Sequence, residues 1–463
     1  MLPNLRRDGC FYRNVLILAL PIIMQNLITT SLGLMDTFMV GVLGEVPLAA
    51  VNLANIPIFI IQLIIFGLQS GSSVLISQFW GKGDKDSINR VIGIGCYVAE
   101  TIAVLFAVAM FFFPQQIMGL LTDNTALIGP AAQYARIVGP SYIFNSITSV
   151  YVGAHRSMEN PKLGFIIFSI SMTVDVFLNW LLIFGNLGAP AMGIAGAAWS
   201  TFWARVLELV IVAVYAFANR RFRLNLSLLL RPGRAVAAKF IQFAAPVVFN
   251  ESLWGLGTSL YKVVMGHMDG STEILAARAL AGGIEDICIV AIFAIAATAC
   301  IVVGREIGAG ADAEAAYRTG VTMGTLAFLA GAAVGLFMLI GTRLFLAPVI
   351  YPIFQLSPRA EGICTLMLTV SASVLPLRSF NSTNIVGVLR GGGDVKMAAV
   401  IDIAPLWLAA LPVTALFGLV LKWDIVWVYI GISMENIVKF GFGLTRLKSR
   451  AWINDVTLLE RTN

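Results

Sequence analysis

The chain has 463 residues, of which 58% are hydrophobic and only 12% carry a charge, and its mean hydropathy is +0.87. Roughly a quarter of the residues of a soluble globular protein are charged, so this composition excludes a water-soluble protein. The net charge of +6 does not indicate a nucleic-acid partner, because basic residues of membrane proteins concentrate in cytoplasmic loops.

Apolar runs long enough to cross a hydrocarbon core about 30 Å thick recur along the whole chain. A barrel strand needs only about 10 alternating residues, so these runs predict an all-α polytopic membrane protein. Charges, Gly/Pro clusters and polar runs divide the chain into twelve predicted transmembrane helices. They are expected near residues 14–41, 48–78, 90–113, 132–154, 162–185, 190–217, 237–266, 274–304, 317–340, 360–389, 396–420 and 424–446.

Lys and Arg predict the orientation of these helices. They concentrate in the loops that share a side with both termini, whereas the other side carries only Arg343, Arg359 and Lys422. Because positive charge marks cytoplasmic loops, we expect both termini in the cytoplasm and the chain in a prokaryotic cell membrane. The apolar run from Val15 to Val42 is too long for the core of a signal peptide and predicts the first membrane helix.

The two halves of the chain repeat in order. The matching pairs are Leu20-Pro21 and Ala245-Pro246, Gly81-x-Gly83 and Gly308-x-Gly310, and Val152-Gly153-x-x-Arg156 and Val386-Gly387-x-x-Arg390. Six helices per half, an even number, bring both halves in from the same side, which predicts pseudo-twofold symmetry along the membrane normal. The predicted domains are a first lobe (1–217), a basic cytoplasmic linker (218–236), a second lobe (237–450) and a cytoplasmic tail (451–463).

The glycines of the Gly81 and Gly308 pairs are expected to provide backbone freedom at tight turns, and the motif does not predict a phosphate site. The longest basic stretch follows the sixth helix. As an anionic-lipid contact each of its cations would contribute about 1 kcal/mol, but a stop-transfer signal is the simpler interpretation of the sequence. Its residues are Arg220, Arg221, Arg223, Arg231, Arg234 and Lys239.

Ionisable groups at mid-bilayer cost about 2.5–3.5 kcal/mol on insertion scales, so each marks a candidate functional site. In the first helix, Asp36 shares a face with Gln25 and Thr29, and in the fifth helix Asp175 and Asn179 lie one turn apart. Their oxygens suit Na⁺, and a desolvated carboxylate pair can also hold a proton. The predicted cation site comprises Asp36, Asp175, Asn179 and Thr201; the alternative is a structural hydrogen-bond network between helices.

The second half mixes acids with arginines. Arg278 and Glu285 are seven residues apart in one helix and are expected to pair, whereas coupling and structural pairing are equally supported for Glu251 and Asp402. Arg205 and Glu208 in the sixth helix, three apart, predict a structural pair, so the first-lobe site is expected to be poor in arginine. The predicted substrate-cavity residues are Gln25, Thr29, Asn55, Gln62, Gln69, Arg278, Glu285 and Arg378; for the Asn55–Gln69 stripe, helix contact is an equal alternative.

Several segments resemble the multidrug and toxic compound extrusion (MATE) family of transporters, and the resemblance covers nearly the whole chain. The segments are residues 18–21, 35–41, 71–84, 181–185, 193–198 and 387–394. The resemblance implies proton- or sodium-driven export of amphipathic, often cationic, compounds by rocking of two lobes. It also implies coupling roles for an acid in helix one, an Asn/Asp pair in helix five and a Glu in helix seven. Here the usual order of the pair is reversed, with Asp175 where the family commonly has Asn and Asn179 where it commonly has Asp. Glu251 lies about one turn nearer Pro246 than the corresponding Glu of sodium-coupled members.

Other functions are less consistent with the sequence. There is no G-x-x-x-x-G-K-[ST] string for a primary pump, and the only histidines, His155 and His267, lie at opposite predicted membrane faces, which disfavours an intramembrane enzyme. The scattered cysteines indicate neither a disulfide nor a metal site. The alternative function is a lipid or lipid-linked oligosaccharide flippase. We expect a monomer in the bilayer that has no cofactor, uses H⁺ or Na⁺ as its coupling ion and transports small organic substrates.

Overall fold

The computed structural model describes residues 7–351 and 356–458, and the regular structure within these ranges is helical. Twelve long helices follow one another there, so the twelve predicted helices are confirmed. They are α1 (Gly9–Gly41), α2 (Glu45–Lys82), α3 (Lys85–Phe112), α4 (Thr125–Ser157), α5 (Lys162–Phe184), α6 (Ile194–Ala218), α7 (Arg234–Gly266), α8 (Ser271–Gly308), α9 (Ala313–Leu346), α10 (Pro358–Leu389), α11 (Val395–Val420) and α12 (Ile425–Ser449).

Ten of these helices are both long and apolar enough to cross a membrane. The other two, α4 and α7, contain more polar residues, yet each has 33 residues and is therefore about 50 Å long. That length exceeds the thickness of the hydrocarbon core, so each helix can cross it. The polar residues that lie within the core then need protein neighbours rather than lipid. Burial in α4 fits this requirement, because it packs against α2, α3 and α6.

Helix ends in the two halves follow the same local rules. Asp84 and Asp312 begin α3 and α9 by accepting backbone N–H bonds of 2.9 Å, and a left-handed glycine precedes each helix. These glycines are Gly83 (φ 79°) and Gly310 (φ 82°), which confirms the predicted tight turns. The other two predicted turn glycines, Gly81 and Gly308, lie instead within the last helical turns of α2 and α8.

The chain forms two compact units. One comprises Leu20–Val248, in which α4 is the central helix, and the other comprises residues 7–19 and 249–458, in which α10 packs against α8, α9 and α12. The unit boundaries therefore fall inside α1 and α7, close to Pro21 and Pro246. Interior prolines remove one helical hydrogen bond and weaken the helix locally. Each of these helices therefore passes from one compact unit to the other close to the proline that weakens it. The predicted lobe ends at 217 and 237 lie in the last turn of α6 and the first turn of α7, and the linker between them belongs to the unit Leu20–Val248.

The chain after α12 packs against its own unit. Trp452 is completely buried, and its indole Nε1 donates to the Leu447 carbonyl at 3.0 Å. A Cβ at Gly392 would lie 2.3 Å from Trp452 Cε3, so only glycine fits under this ring. The described part of the predicted tail is therefore a packed element, which explains one glycine of the Gly391-Gly392-Gly393 run.

Candidate functional site

Three predicted residues of the first unit meet in one cluster. Asp175 and Asn179 lie one turn apart on α5 and point to the same side, toward Asp36 on α1. The Asn179 amide Nδ2 donates to Asp36 Oδ1 at 2.8 Å and to Asp175 Oδ2 at 3.1 Å. One amide therefore bridges two carboxyl groups that are also direct electrostatic neighbours of each other. We call Asp36, Asp175 and Asn179 the carboxylate cluster.

The carboxylate cluster retains acceptor atoms that the protein does not satisfy. Asp175 and Asn179 are each only 1% exposed, and Asp175 Oδ1 and Asn179 Oδ1 have no hydrogen-bond partner in the described structure. A buried acceptor without a donor costs free energy, so both atoms favour a proton or a small cation beside them. Carboxylate and amide oxygens are suitable ligands for a hard cation, so these residues fit the predicted site.

Thr201 lies at the edge of the carboxylate cluster. Its hydroxyl donates to the Ala197 carbonyl at 3.2 Å and also interacts with the phenol of Tyr134 on α4. Tyr134 is buried and close to both Asp36 and Asp175. Tyr134 was not predicted from the sequence, where a tyrosine in an apolar run gives no sign of which helix it faces.

The predicted Arg205–Glu208 pair is confirmed. Arg205 Nη1 lies 2.8 Å from Glu208 Oε1, and the Ser171 hydroxyl donates to the same oxygen at 2.6 Å. The expectation that the first-lobe site is poor in arginine is wrong, because the Arg205 guanidinium also attracts Asp36 and Asp175. Since α5 and α6 pack side by side, the pair of α6 lies next to the carboxylate cluster of α5 and α1.

In the second unit, Glu251 and Asp402 each have a cationic partner. Glu251 Oε1 lies 2.9 Å from Arg390 Nη2, and Asp402 Oδ1 lies 2.6 Å from Lys439 Nζ. The structure therefore shows the pairing alternative for both residues, with partners that the sequence analysis had not proposed. Glu435, one turn from Lys439 on α12, contacts the same ammonium group at 2.5 Å. Two charges four residues apart in an apolar helix were the sequence signal for this pair.

A second network surrounds Glu285 on α8. Arg278 Nη1 lies 2.9 Å from Glu285 Oε2, as predicted, and the Tyr429 hydroxyl donates to Glu285 Oε1 at 2.7 Å. Ser371 donates to the same oxygen, and Arg378 lies close enough to attract the carboxylate. Glu285 is thus surrounded by donors and cations, which favours a structural role for its charge.

The predicted polar stripes have mixed surroundings. Gln25 is buried against Gly164 at the start of α5, and Thr29 donates to the Gln25 carbonyl at 2.7 Å within α1. On α2, Asn55 is exposed, but Gln62 donates to the Tyr142 hydroxyl at 2.9 Å and Gln69 faces Gly153 of α4. Helix contact is therefore the observed arrangement for the two glutamines of α2.

An apolar groove lies on exposed side chains near the end of α1 and along α5. It lies between the last turns of α1 and α5 and has a volume of about 480 Å³. Neither Asp36 nor Asp175 lines it, and Phe177 and Trp180 point to the side of α5 opposite Asp175. The lining residues are Met35, Phe38, Met39, Val42, Thr173, Val176, Phe177, Trp180 and Phe184.

Comparison with known proteins addresses the family of this chain. Residues 21–181 match a family model described as MatE. The chain is 24% identical to the uncharacterized transporter YisQ of Bacillus subtilis over 94% of this chain and 93% of that protein. It is also 24% identical to the multidrug resistance protein PmpM of Pseudomonas aeruginosa, over 88% of this chain and 84% of that protein. These matches support the assignment of the chain to the MATE family of membrane transporters.

The fold agrees with this assignment. A solved structure of a multidrug resistance MATE family transporter in an outward-facing conformation superimposes with a TM-score of 0.84. The alignment covers 97% of this chain and 98% of that one, at 21% sequence identity. The resemblance drawn from the sequence is confirmed, and so is the twelve-helix, two-lobe MATE architecture.

Proposed function

We propose that this MATE protein is a secondary active exporter of small amphipathic, often cationic, organic compounds, driven by inward movement of H⁺ or Na⁺. The observation that carries the proposal is the carboxylate cluster, which leaves Asp175 Oδ1 and Asn179 Oδ1 without a hydrogen-bond partner in the described structure. Relatives described as multidrug resistance proteins support the substrate class, and they do not favour the flippase alternative.

The carboxylate cluster offers the chemistry of an exchangeable cation site. Two carboxyl groups that face each other, Asp175 buried and Asp36 half-buried, repel each other when both are ionised, so one proton or one Na⁺ stabilises the pair. Asn179 donates to both carboxyl groups through Nδ2, which leaves its Oδ1 and Asp175 Oδ1 available to coordinate a bound ion. Neither of these two oxygen atoms accepts a hydrogen bond from a donor in the described structure.

The groove on α1 and α5 suits the apolar part of a substrate. Phe38, Phe177 and Trp180 supply aromatic surface, which binds organic cations through both dispersion and the ring quadrupole. In our proposal, a bound organic cation and a bound coupling ion compete for the negative charge of the carboxylate cluster. Such competition is what an antiporter requires, because release of the substrate then accompanies binding of the ion.

Alternating access would couple the two events. In our proposal, α1 and α7 bend near Pro21 and Pro246, where each helix passes from one compact unit to the other. The membrane potential contributes about 2.3 kcal/mol per net charge moved per 100 mV, which is enough energy to drive export of a neutral compound against a tenfold gradient. One-for-one exchange with an organic cation moves no net charge and is driven by the concentration gradient of the coupling ion.

Ethidium efflux from proteoliposomes tests the proposal. Purified full-length protein is reconstituted, and efflux is followed by fluorescence under an imposed Na⁺ gradient and, separately, under an imposed pH gradient. We expect efflux under at least one gradient and none when the gradient is dissipated by an ionophore. Absence of ethidium efflux under both gradients, with the protein still folded by circular dichroism, would contradict the proposed function.

A further inference from the structure

The basic segment between α6 and α7 is docked along α3. Its contacts fall on α3 residues spaced by four, which places them on one face of that helix. The contacts are Lys85 Nζ to the Arg221 carbonyl (3.1 Å), Asn89 Oδ1 to the Asn225 backbone N–H (3.0 Å), Gly93 against Leu229, and the Tyr97 hydroxyl to the Leu230 carbonyl (3.2 Å). The linker is therefore an ordered part of its unit and not a flexible tether.

Gly93 brings the linker backbone unusually close to α3. A Cβ at Gly93 would lie 2.2 Å from the Leu229 carbonyl oxygen, so only glycine permits this contact. The short helix Leu226–Leu230 is capped by the Asn225 side chain, which accepts from the backbone N–H groups of Ser227 and Leu228. Local capping and the close contact at Gly93 together fix which side chains of the segment face outward.

The length of α3 indicates the depth of the segment in the bilayer. Tyr97 is twelve residues from Lys85, about 18 Å along α3, whereas the whole helix is about 42 Å long. A hydrocarbon core of about 30 Å leaves only about 12 Å of α3 outside it, so Leu226–Leu230 reaches the boundary of the core. Leu226 and Leu230 are 58% and 60% exposed there. Leucines exposed at this depth contact acyl chains rather than water.

Exposed arginines flank these leucines. Arg220, Arg223, Arg231 and Arg234 are exposed and form no ion pair within the described residues. The end of α12, the last helix of the other unit, differs. Arg446 in its last turn and Arg450 just after it are each 2.7 Å from a carboxylate, of Asp394 and Glu314 respectively. The repeat therefore supplies an internal contrast, in which one arginine-bearing segment is neutralised by the protein and the other is not.

We propose that residues 220–234 form an interfacial binding surface for the anionic phospholipids of the bilayer. Leu226 and Leu230 enter the acyl-chain boundary, and the flanking arginines contact headgroup phosphates. Paired exposed leucines and arginines on a docked segment fit a lipid with a negative headgroup, whereas a stop-transfer signal requires the charges alone. The surface would hold α3 and the start of α7 at a fixed depth while the transporter works.

Lipid titration of the full-length protein tests this surface. The protein is purified in detergent, and its thermal unfolding is measured while phosphatidylglycerol or phosphatidylcholine is added. We expect phosphatidylglycerol to raise the unfolding temperature more than phosphatidylcholine does. In the Arg231→Gln/Arg234→Gln variant the apparent affinity for phosphatidylglycerol should fall about 30-fold, because each cation near the surface contributes about 1 kcal/mol, or about fivefold. Added salt should weaken the effect in the parent protein.

The matched control is Arg343→Gln/Lys422→Gln, which removes two exposed cations, at the end of α9 and in the α11–α12 loop, from the predicted opposite membrane side. It should retain the affinity of the parent. The Leu226→Gln/Leu230→Gln variant should lose affinity without losing the salt dependence. Equal phosphatidylglycerol affinity of the Arg231→Gln/Arg234→Gln variant and the parent protein would overturn the proposal. Equal stabilisation by inorganic phosphate would also overturn it, since a free anion would then account for the site.

Discussion

The two compact units place their buried carboxyl groups in different surroundings. In the unit Leu20–Val248, Asp36 and Asp175 share one amide donor, and the nearest cation, Arg205, already binds Glu208. In the other unit, Glu251 and Asp402 each contact a cation within 3 Å. A carboxylate with a fixed counter-cation has no need of a mobile ion, whereas a cluster without one does. The comparison therefore assigns ion coupling to the first unit and a locked charge network to the second.

The largest expected effect comes from removing the acid on α1. We predict that Asp36→Asn abolishes gradient-driven ethidium efflux while expression is unchanged, because the amide has the same shape but cannot hold a proton or the negative charge. Efflux from proteoliposomes measures this. Thr37→Val is the matched control, since its neighbouring hydroxyl only donates to the Gly33 carbonyl. Parental efflux by Asp36→Asn would exclude this cluster as the coupling site.

Breaking a buried pair of the second unit should chiefly affect stability. Arg390→Gln leaves Glu251 buried without its cation, and such changes cost about 3–5 kcal/mol. We expect a clearly lower unfolding temperature in detergent, most of which Glu251→Gln should restore when both substitutions are combined. Arg343→Gln, at an exposed arginine, should unfold like the parent. If Arg390→Gln is as stable as the parent but cannot couple transport, the second unit is a coupling site.

Exchanging the α5 pair tests whether its order matters. The Asp175→Asn/Asn179→Asp variant keeps one carboxylate and one amide on the same face, so we predict that it retains efflux. Either single substitution should reduce efflux about tenfold or more, because hydrogen bonds to charged groups contribute about 1.5–3 kcal/mol. Initial efflux rates of the three variants measure this. A double variant no better than the single ones would show that the cluster depends on the observed order.

Thr201→Val should have the smallest effect. The hydroxyl donates to a carbonyl of its own helix at 3.2 Å and is at the edge of the cluster. Loss of one such bond is worth about 1 kcal/mol, so efflux should change by at most about fivefold. Rates under Na⁺ and pH gradients should be compared. A large loss confined to the Na⁺ gradient would instead make Thr201 a direct ligand.

Local spacing accounts for the parts of the site that could be predicted from the sequence. The Arg205–Glu208 and Arg278–Glu285 pairs, and the common face of Asp175 and Asn179, depend only on helical periodicity. The cation partners of Glu251 and Asp402 could not be predicted in this way, because Arg390 and Lys439 lie on other helices and their positions depend on tertiary packing. Arg390 in particular lies in a repeated turn motif, which gave no indication that its side chain points to α7.

The same distinction applies to the fold. Apolar run length predicted all twelve helices, since crossing a membrane fixes a minimum length for each. It did not predict that α1 and α7 each pass from one compact unit to the other, or that Trp452 packs under the α10–α11 turn. Both depend on close approach at particular residues, such as the contact of Gly392 with the indole ring.

Substrate-induced ion movement in proteoliposomes tests the central claim most directly. Ethidium is added without any imposed gradient, and trapped pH- and Na⁺-sensitive dyes report the counter-movement of ions. We predict that the parent and Asp402→Asn, in which Lys439 keeps Glu435 as a partner, move H⁺ or Na⁺ in response, whereas Asp36→Asn moves neither. Undiminished ion movement in Asp36→Asn together with its loss in Asp402→Asn would contradict the assignment of coupling to the first unit.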